Sequence, residues 1–298
     1  MNQPTVSIGI PVWNGEAFLA ETLESLLAQD YENLEIIVLD NLSTDRTSEI
    51  CKAYAQKDAR VRYVLDDSQK DVMQGHKKTA QLARGEYFMI ACDDDWYAPK
   101  YISTLLRLIT ANPRVGLVYS GWDWIYPDGS KKPSGWKRFL TASNSAFRNF
   151  SSYLFFRTPI PMQFGLVRTN LHRDALDYFY RPDHRGWNHD NLYMLRLLSI
   201  ARVDSTTDTL FYYRQRDREA LYKQRGQNYS PNGAFAEYWN QVLHQISVTR
   251  AVAKIIKASP FKSKEKSLLK IYNLLVLFFN CGPRYLLSSP IYRKLRGR

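Results

Sequence analysis

Three consecutive carboxylates, Asp93, Asp94 and Asp95, follow the apolar run Tyr87-Phe88-Met89-Ile90-Ala91, separated from it only by Cys92. Like charges at the end of a buried segment repel one another and cost free energy unless a positive group arrives. Oxygen donors of this kind suit a hard divalent cation, Mg²⁺ or Mn²⁺, typically held by one or two carboxylates and completed by substrate phosphates. The pattern therefore points to a metal and a diphosphate. The competing reading is helix capping, because aspartates favour the positive end of a helix. Three in a row exceed what a cap requires. Asp40-Asn41 and Asp66-Asp67 also close apolar runs, and the first such run leads into Pro11-Val12-Trp13-Asn14. There the indole of Trp13 is either a stacking surface for a nucleobase or a packing residue at a strand end.

The elements that must position these groups alternate. Residues 5–10, 34–39, 61–65, 86–91 and 115–119 are short runs rich in β-branched and large apolar side chains, as in strands buried on both faces. Helical patterns lie between them. Residues 16–29 place Phe18, Leu19, Leu23, Leu26 and Leu27 on one stripe, and 44–56 open with capping chemistry at Ser43-Thr44-Asp45. Residues 72–84 stop at Gly85, a natural helix terminator, and Pro99 suits the first turn of a helix reaching Ala111. Such alternation predicts an α/β fold with a Rossmann-like, mostly parallel sheet and helices on both faces. Ligands of these sheets bind beyond the carboxyl ends of the strands, where the segments carrying Pro11, Asp40, Asp66 and Asp93 converge. Neither GxGxxG nor GxxxxGK[ST] occurs, so the dinucleotide and P-loop phosphate cradles are excluded.

At 298 residues, 45% hydrophobic and 23% charged, the chain has the makeup of one large globular domain or two small ones. Cys51, Cys92 and Cys281 are far apart and form no CxxC pair, so neither a disulfide framework nor a zinc site is legible. The first residues carry no basic region, long apolar stretch or cleavage site, and the expected location is cytoplasmic. The net charge is +12, but residues 254–298 hold eleven Lys/Arg against Glu265 alone, leaving 30 basic and 28 acidic residues elsewhere. A basic tail on a neutral body argues against nucleic acid as partner. Within that tail, residues 268–279 are almost wholly apolar, yet shorter than the roughly 20 residues a membrane span needs. They suit either an interfacial helix on an anionic membrane surface, peripheral at its inner face, or a helix docked on the body.

At this point the motifs resemble a known family. Val6-Ser7-Ile8-Gly9-Ile10-Pro11-Val12-Trp13-Asn14 is similar to the opening strand and Pro-x-aromatic-Asn turn of family-2 glycosyltransferases with the GT-A fold. Glu35-Ile36-Ile37-Val38-Leu39-Asp40-Asn41 resembles their second strand and aspartate loop, and Ala83-Arg84-Gly85-Glu86-Tyr87 through Asp93-Asp94-Asp95-Trp96 resembles the approach to their DxD motif. The likeness is close over about the first 120 residues and patchier to about residue 216. It implies a nucleoside-diphosphate sugar of the UDP, dTDP or GDP type as donor, with Mn²⁺ or Mg²⁺ as cofactor. Pro11 and Trp13 would line the base pocket, and Asp40 or Asn41 would bond base or ribose. Asp93 would lie near the ribose and donor sugar, and Asp94 would be the principal metal ligand, with Asp95 beside it. The chain departs from the pattern at Asn41, where a second aspartate is common, and at Cys92, which takes the place of the first DxD aspartate. His76 falls near an arginine expected to hold the diphosphate, with Lys77 and Lys78 as substitutes.

The second half must supply the acceptor side. Inverting sugar transfer needs leaving-group stabilisation, an acceptor hydroxyl opposite the leaving group, and a base near its proton. Asn188-His189-Asp190-Asn191-Leu192 opens a helix through Ser199 and resembles the family's Glu-Asp motif, which makes Asp190 the implied base. Otherwise Asp190 is a helix cap. Residues 209–214 resemble the strand that closes the catalytic domain, Arg214 and Arg216 are candidates to offset phosphate charge, and 217–230 is either a closing loop or a surface connection. The expected organisation is a nucleotide-sugar half (1–125), an acceptor half with the base (126–230) and a helical, basic extension (231–298). The implied activity is transfer to a glycan or lipid-linked hydroxyl in surface polysaccharide or lipopolysaccharide assembly. The alternative is a catalytically silent protein on the same fold that binds a sugar nucleotide or glycan.

Overall fold

The computed structural model describes residues 5–67, 72–135, 141, 145–156, 160–179, 189–215 and 248–281. In chain order these form β1 (Val6–Val12), α1 (Leu19–Leu27), β2 (Leu34–Asp40), α2 (Thr47–Lys57), β3 (Val61–Leu65), α3 (Val72–Leu82), β4 (Tyr87–Ile90), β5 (Trp96–Tyr97) and α4 (Tyr101–Ala111). There follow β6 (Val115–Ile125), β7 (Lys131–Pro133), α5 (Ala146–Phe156), β8 (Leu166–Arg168), α6 (Thr169–Phe179), α7 (His189–Ile200) and β9 (Arg202–Arg214). Helices α8 (248–258) and α9 (Ser263–Cys281) complete the described chain.

One sheet runs β3-β2-β1-β4-β8-β6-β9-β5, with β7 added on β6. All seven residues of β1 are buried, as a central strand with helices on both faces requires. It lies parallel to β2 and β4, and Val12 stands opposite Asp40, so the carboxyl ends of these strands share one edge. The expected α/β sheet with covered faces is what forms. It departs from pure parallel order at β8, which runs antiparallel between β4 and β6, and at β5 and β7, which pair antiparallel with β9 and β6. Strand β8 joins the chain beyond residue 125 to the same sheet as the first half.

Gly85 does not terminate α3 through a left-handed turn. Its φ is not positive, and a Cβ there would come within 2.7 Å of the backbone nitrogen of Ser7 and the carbonyl of Thr5. It is glycine because β1 passes against it. At the other end of the chain, Phe261 packs edge-on against Phe147 and Phe150 of α5, and Val252, Ile255, Ile256 and Leu269 are buried. The C-terminal helices therefore dock on the body.

Candidate active site

The loops after β1 and β2 are knitted together. The backbone N–H of Asn41 donates to the Val12 carbonyl at 2.8 Å, Asn14 N–H to Ser43 Oγ at 2.9 Å, and Thr44 N–H to Asn14 Oδ1 at 2.8 Å. Asn14 and Leu42 both take the left-handed conformation, with φ of 54° and 56°. That conformation is unusual for a leucine, and such strain gathers at functional loops. Asp40 is fully buried, and its carboxylate accepts from Ser43 N–H and from the Tyr63 hydroxyl. Asn41 differs. Its Nδ2 donates to the Val12 carbonyl at 3.2 Å, while its buried Oδ1 has no partner. The buried Nε1 of Trp13 also has none. An acceptor and a donor thus stand unsatisfied at the edge where a ligand would bind, each at a desolvation cost that a partner would remove. Helix α3 covers this spot closely, since a Cβ on Gly75 would lie 2.7 Å from Pro11 Cβ and 3.2 Å from Asn41 Nδ2.

Beyond β4, Cys92, Asp94 and Asp95 bring Sγ and carboxylate oxygens within 4.8 Å of one another. Two carboxylate oxygens suit Mn²⁺ or Mg²⁺, whereas the thiol is a poor ligand for Mg²⁺. The donor set therefore fits a hard divalent ion through Asp94 and Asp95. Asp93 leans the other way, towards the β1 loop, where a Cβ on Gly15 would come 2.7 Å from its Oδ2.

The acid loop is held from behind by residues whose roles the sequence did not disclose. Arg214, 3% exposed at the end of β9, donates its backbone N–H to Asp95 Oδ1 (2.9 Å) and Nε to the Asp94 carbonyl (2.6 Å). Its Nη2 pairs with Glu21 at 2.7 Å, and the guanidinium lies over the Phe18 ring. Thr22 of α1 donates to the Asp95 carbonyl. Part of the positive charge demanded by the three aspartates is thus internal, and Arg214 is engaged with the loop instead of facing a phosphate. Lys131, reaching over from β7, sets its Nζ 3.7 Å from the Trp96 ring centre and 3.9 Å from that of Tyr212.

His76 also departs from expectation. It is buried, and desolvation lowers its pKa to about 4, so the ring is neutral and supplies no cation for a diphosphate. Its charge would be felt by buried His172, whose pKa desolvation lowers to about 3 and which bonds the Tyr193 hydroxyl. Lys78 pairs with Asp66 at 2.6 Å. Asp190 stands exposed in the first turn of α7, a helix tied to α5 by the Tyr153 hydroxyl donating to Asn191 Oδ1. Arg216, the segment 217–230 and Asn188 lie outside the described residues. A separate basic cavity of about 410 Å³ lies at the opposite edge of the sheet, where Arg173 already binds the carbonyls of Ala80 and Ala83.

This topology, with acid residues after β4 and an antiparallel β8 beside it, is that of the GT-A glycosyltransferases. Residues 7–171 match the model of the family described as Glycosyl transferase family 2, more than half of the chain, and the chain belongs to that family. Glycosyltransferase GlyG of Streptococcus pneumoniae serotype 4 is 30% identical over 125 residues, 42% of this chain and 42% of that protein. GlyA of the same organism is 31% identical over 118 residues, 39% of this chain and 17% of that protein. The matches span less than half the length of these relatives. Among solved structures, S. aureus TarS 1-349 in complex with UDP-GlcNAc superposes with a TM-score of 0.67 at 18% identity, over 97% of this chain and 77% of that one. The mannosyltransferase PcManGT from Pyrobaculum calidifontis, in complex with GDP-Man and Mn²⁺, gives 0.53 at 17% identity, over 100% and 84%.

Proposed function

We propose that this protein is an inverting, divalent-metal-dependent glycosyltransferase that moves a sugar from a nucleoside-diphosphate donor to a hydroxyl of a glycan or lipid-linked acceptor in surface polysaccharide assembly. The observation that carries this reading is the convergence of two features on one sheet edge. Asp94 and Asp95 offer hard oxygen ligands, and Asn41 Oδ1 and Trp13 Nε1 are buried without partners beside Pro11. Neighbours solved with UDP-GlcNAc and with GDP-Man and Mn²⁺ support it. A divalent ion held by Asp94 and Asp95 would neutralise charge on the departing nucleoside diphosphate. The chain's own residues do the remainder. Asn41 accepts a base N–H, Trp13 and Pro11 bound the base pocket, Asp93 faces ribose and sugar, and Asp190 takes the acceptor proton.

The test is release of nucleoside diphosphate from UDP-, dTDP- and GDP-sugars with Mn²⁺ and a panel of glycan acceptors. Wild type should turn over at least one donor, and Asp190→Asn should lower kcat by at least about 10²-fold, the scale of a lost general base. Equal turnover by the Asn variant removes Asp190 from the chemistry. Donor binding by the wild type without turnover of any donor supports the silent binding protein instead.

A further inference from the structure

Helix α9 has two apolar faces. Leu269 is fully buried and Asn273 is 3% exposed, its Nδ2 bonded to the Thr249 carbonyl. Leu268, Ile271 and Leu274 are 39%, 56% and 61% exposed, three of the four exposed large apolar residues among those described. At about 100° per residue, Ile271 stands opposite the midpoint of Leu269 and Asn273, with Leu268 and Leu274 on either side of it. Lys264 projects beside Ile271 on this outer half, Lys270 stands on the flank between the two faces, and both are exposed. A helix that merely docked would turn polar residues outward there.

We infer that this outer face of α9 is a docking surface for an anionic lipid bilayer, with the helix lying in the interface. Charge selects this occupant. Residues 248–281 carry seven Lys/Arg against Glu265 alone, and residues 282–298 add five more with no acid. A second copy of the chain would bring the same positive charge against itself, whereas acidic headgroups complement it. No helix among the described residues is long and apolar enough to cross a membrane, so the helix rests on the surface and the body docked behind it stays in water. Through α5, which also holds α7, the extension ties the half bearing Asp190 to that surface. The inference does not rest on donor chemistry.

Flotation of the full chain with phosphatidylcholine vesicles, with and without 30% phosphatidylglycerol, tests it. The protein should float with the anionic vesicles only, and less as salt rises. Ile271→Glu/Leu274→Glu should cut partitioning at least about tenfold, the factor expected from losing two inserted aliphatic side chains. Lys264→Gln/Lys270→Gln should cut it as well. Sedimentation velocity and thermal unfolding of the same variants show whether they stay folded and keep the wild-type oligomeric state. No flotation of the wild type overturns the proposal, as does a concentration-dependent dimer dissolved by Ile271→Glu/Leu274→Glu.

Discussion

Arg214 holds the acid loop of the candidate site from behind. Its backbone and Nε fix Asp95 and Asp94, and Glu21 and Phe18 fix its guanidinium. Partners of this kind set ligand orientation, and their loss typically lowers metal affinity about 10–100-fold. Arg214→Lys keeps the charge but lacks the Nε bond to the Asp94 carbonyl and the planar fork. Calorimetry with Mn²⁺ and nucleoside diphosphate should show a fall of that size, with a smaller change in thermal midpoint. An affinity within twofold of wild type would assign Arg214 a purely structural role.

At the scale of elements, much of the first half of the chain was legible. Most of its strands are continuous apolar runs and its helices have one stripe, so period and composition agree with the positions of β1 to β4 and α1 to α4. Strand β3, expected to be buried on both faces, is instead an edge strand, partly exposed because it has a neighbour on one side only. The Pro11, Asp40 and Asp93 segments meet because parallel strands must end together. What stayed hidden has physical reasons. Strand β8 is three residues long and exists through its neighbours, β5 is two residues, and neither has a period to read. Arg214 looked like a phosphate ligand because nothing local reveals that β9 ends behind the acid loop. His76 fell near the place of an expected diphosphate-binding arginine, and its burial was not legible because it depends on α6, far along the chain. Gly75 was silent for the same reason, since its value lies in the approach of α3 to Pro11 and Asn41. Gly75→Ala should force α3 off that contact and destabilise the fold by roughly 1–3 kcal/mol, with a matching loss of nucleotide affinity. Gly129→Ala, at a left-handed position with open space around it, should cost stability by about 1–2 kcal/mol and leave affinity alone. Denaturant melts paired with nucleotide titration separate the two. Equal affinity of Gly75→Ala and wild type would detach α3 from the base pocket.

Across the whole molecule, the buried histidines make stability depend on pH. Burial lowers His76 to about 4 and His172 to about 3, against about 6.5 in an unfolded chain. The unfolded state therefore takes up protons first as pH falls. The stabilisation is complete above about 6.5 and declines as pH drops towards the folded values, by up to about 1.4 kcal/mol per pH unit for each histidine. Urea unfolding at pH 7.0, 6.0 and 5.2, above the main carboxylate range, should show this decline. His172→Phe should flatten the slope by about one proton whatever its effect on absolute stability. A pH-independent midpoint over that window would contradict the burial of both rings.

The central claim is that the acid loop binds a nucleoside diphosphate through a divalent cation. Isothermal titration of UDP, dTDP and GDP into wild type and Asp94→Ala, each with Mn²⁺ and with EDTA, tests it most directly. Asp94 contributes its carboxylate to the cluster with Cys92 and Asp95, and removing one charge from that cluster should leave the fold intact. The account predicts binding of at least one nucleotide by wild type with Mn²⁺, little or none with EDTA, and none by Asp94→Ala despite an unchanged thermal midpoint. Binding of equal strength in EDTA, or by the folded Asp94→Ala protein with Mn²⁺, would contradict it.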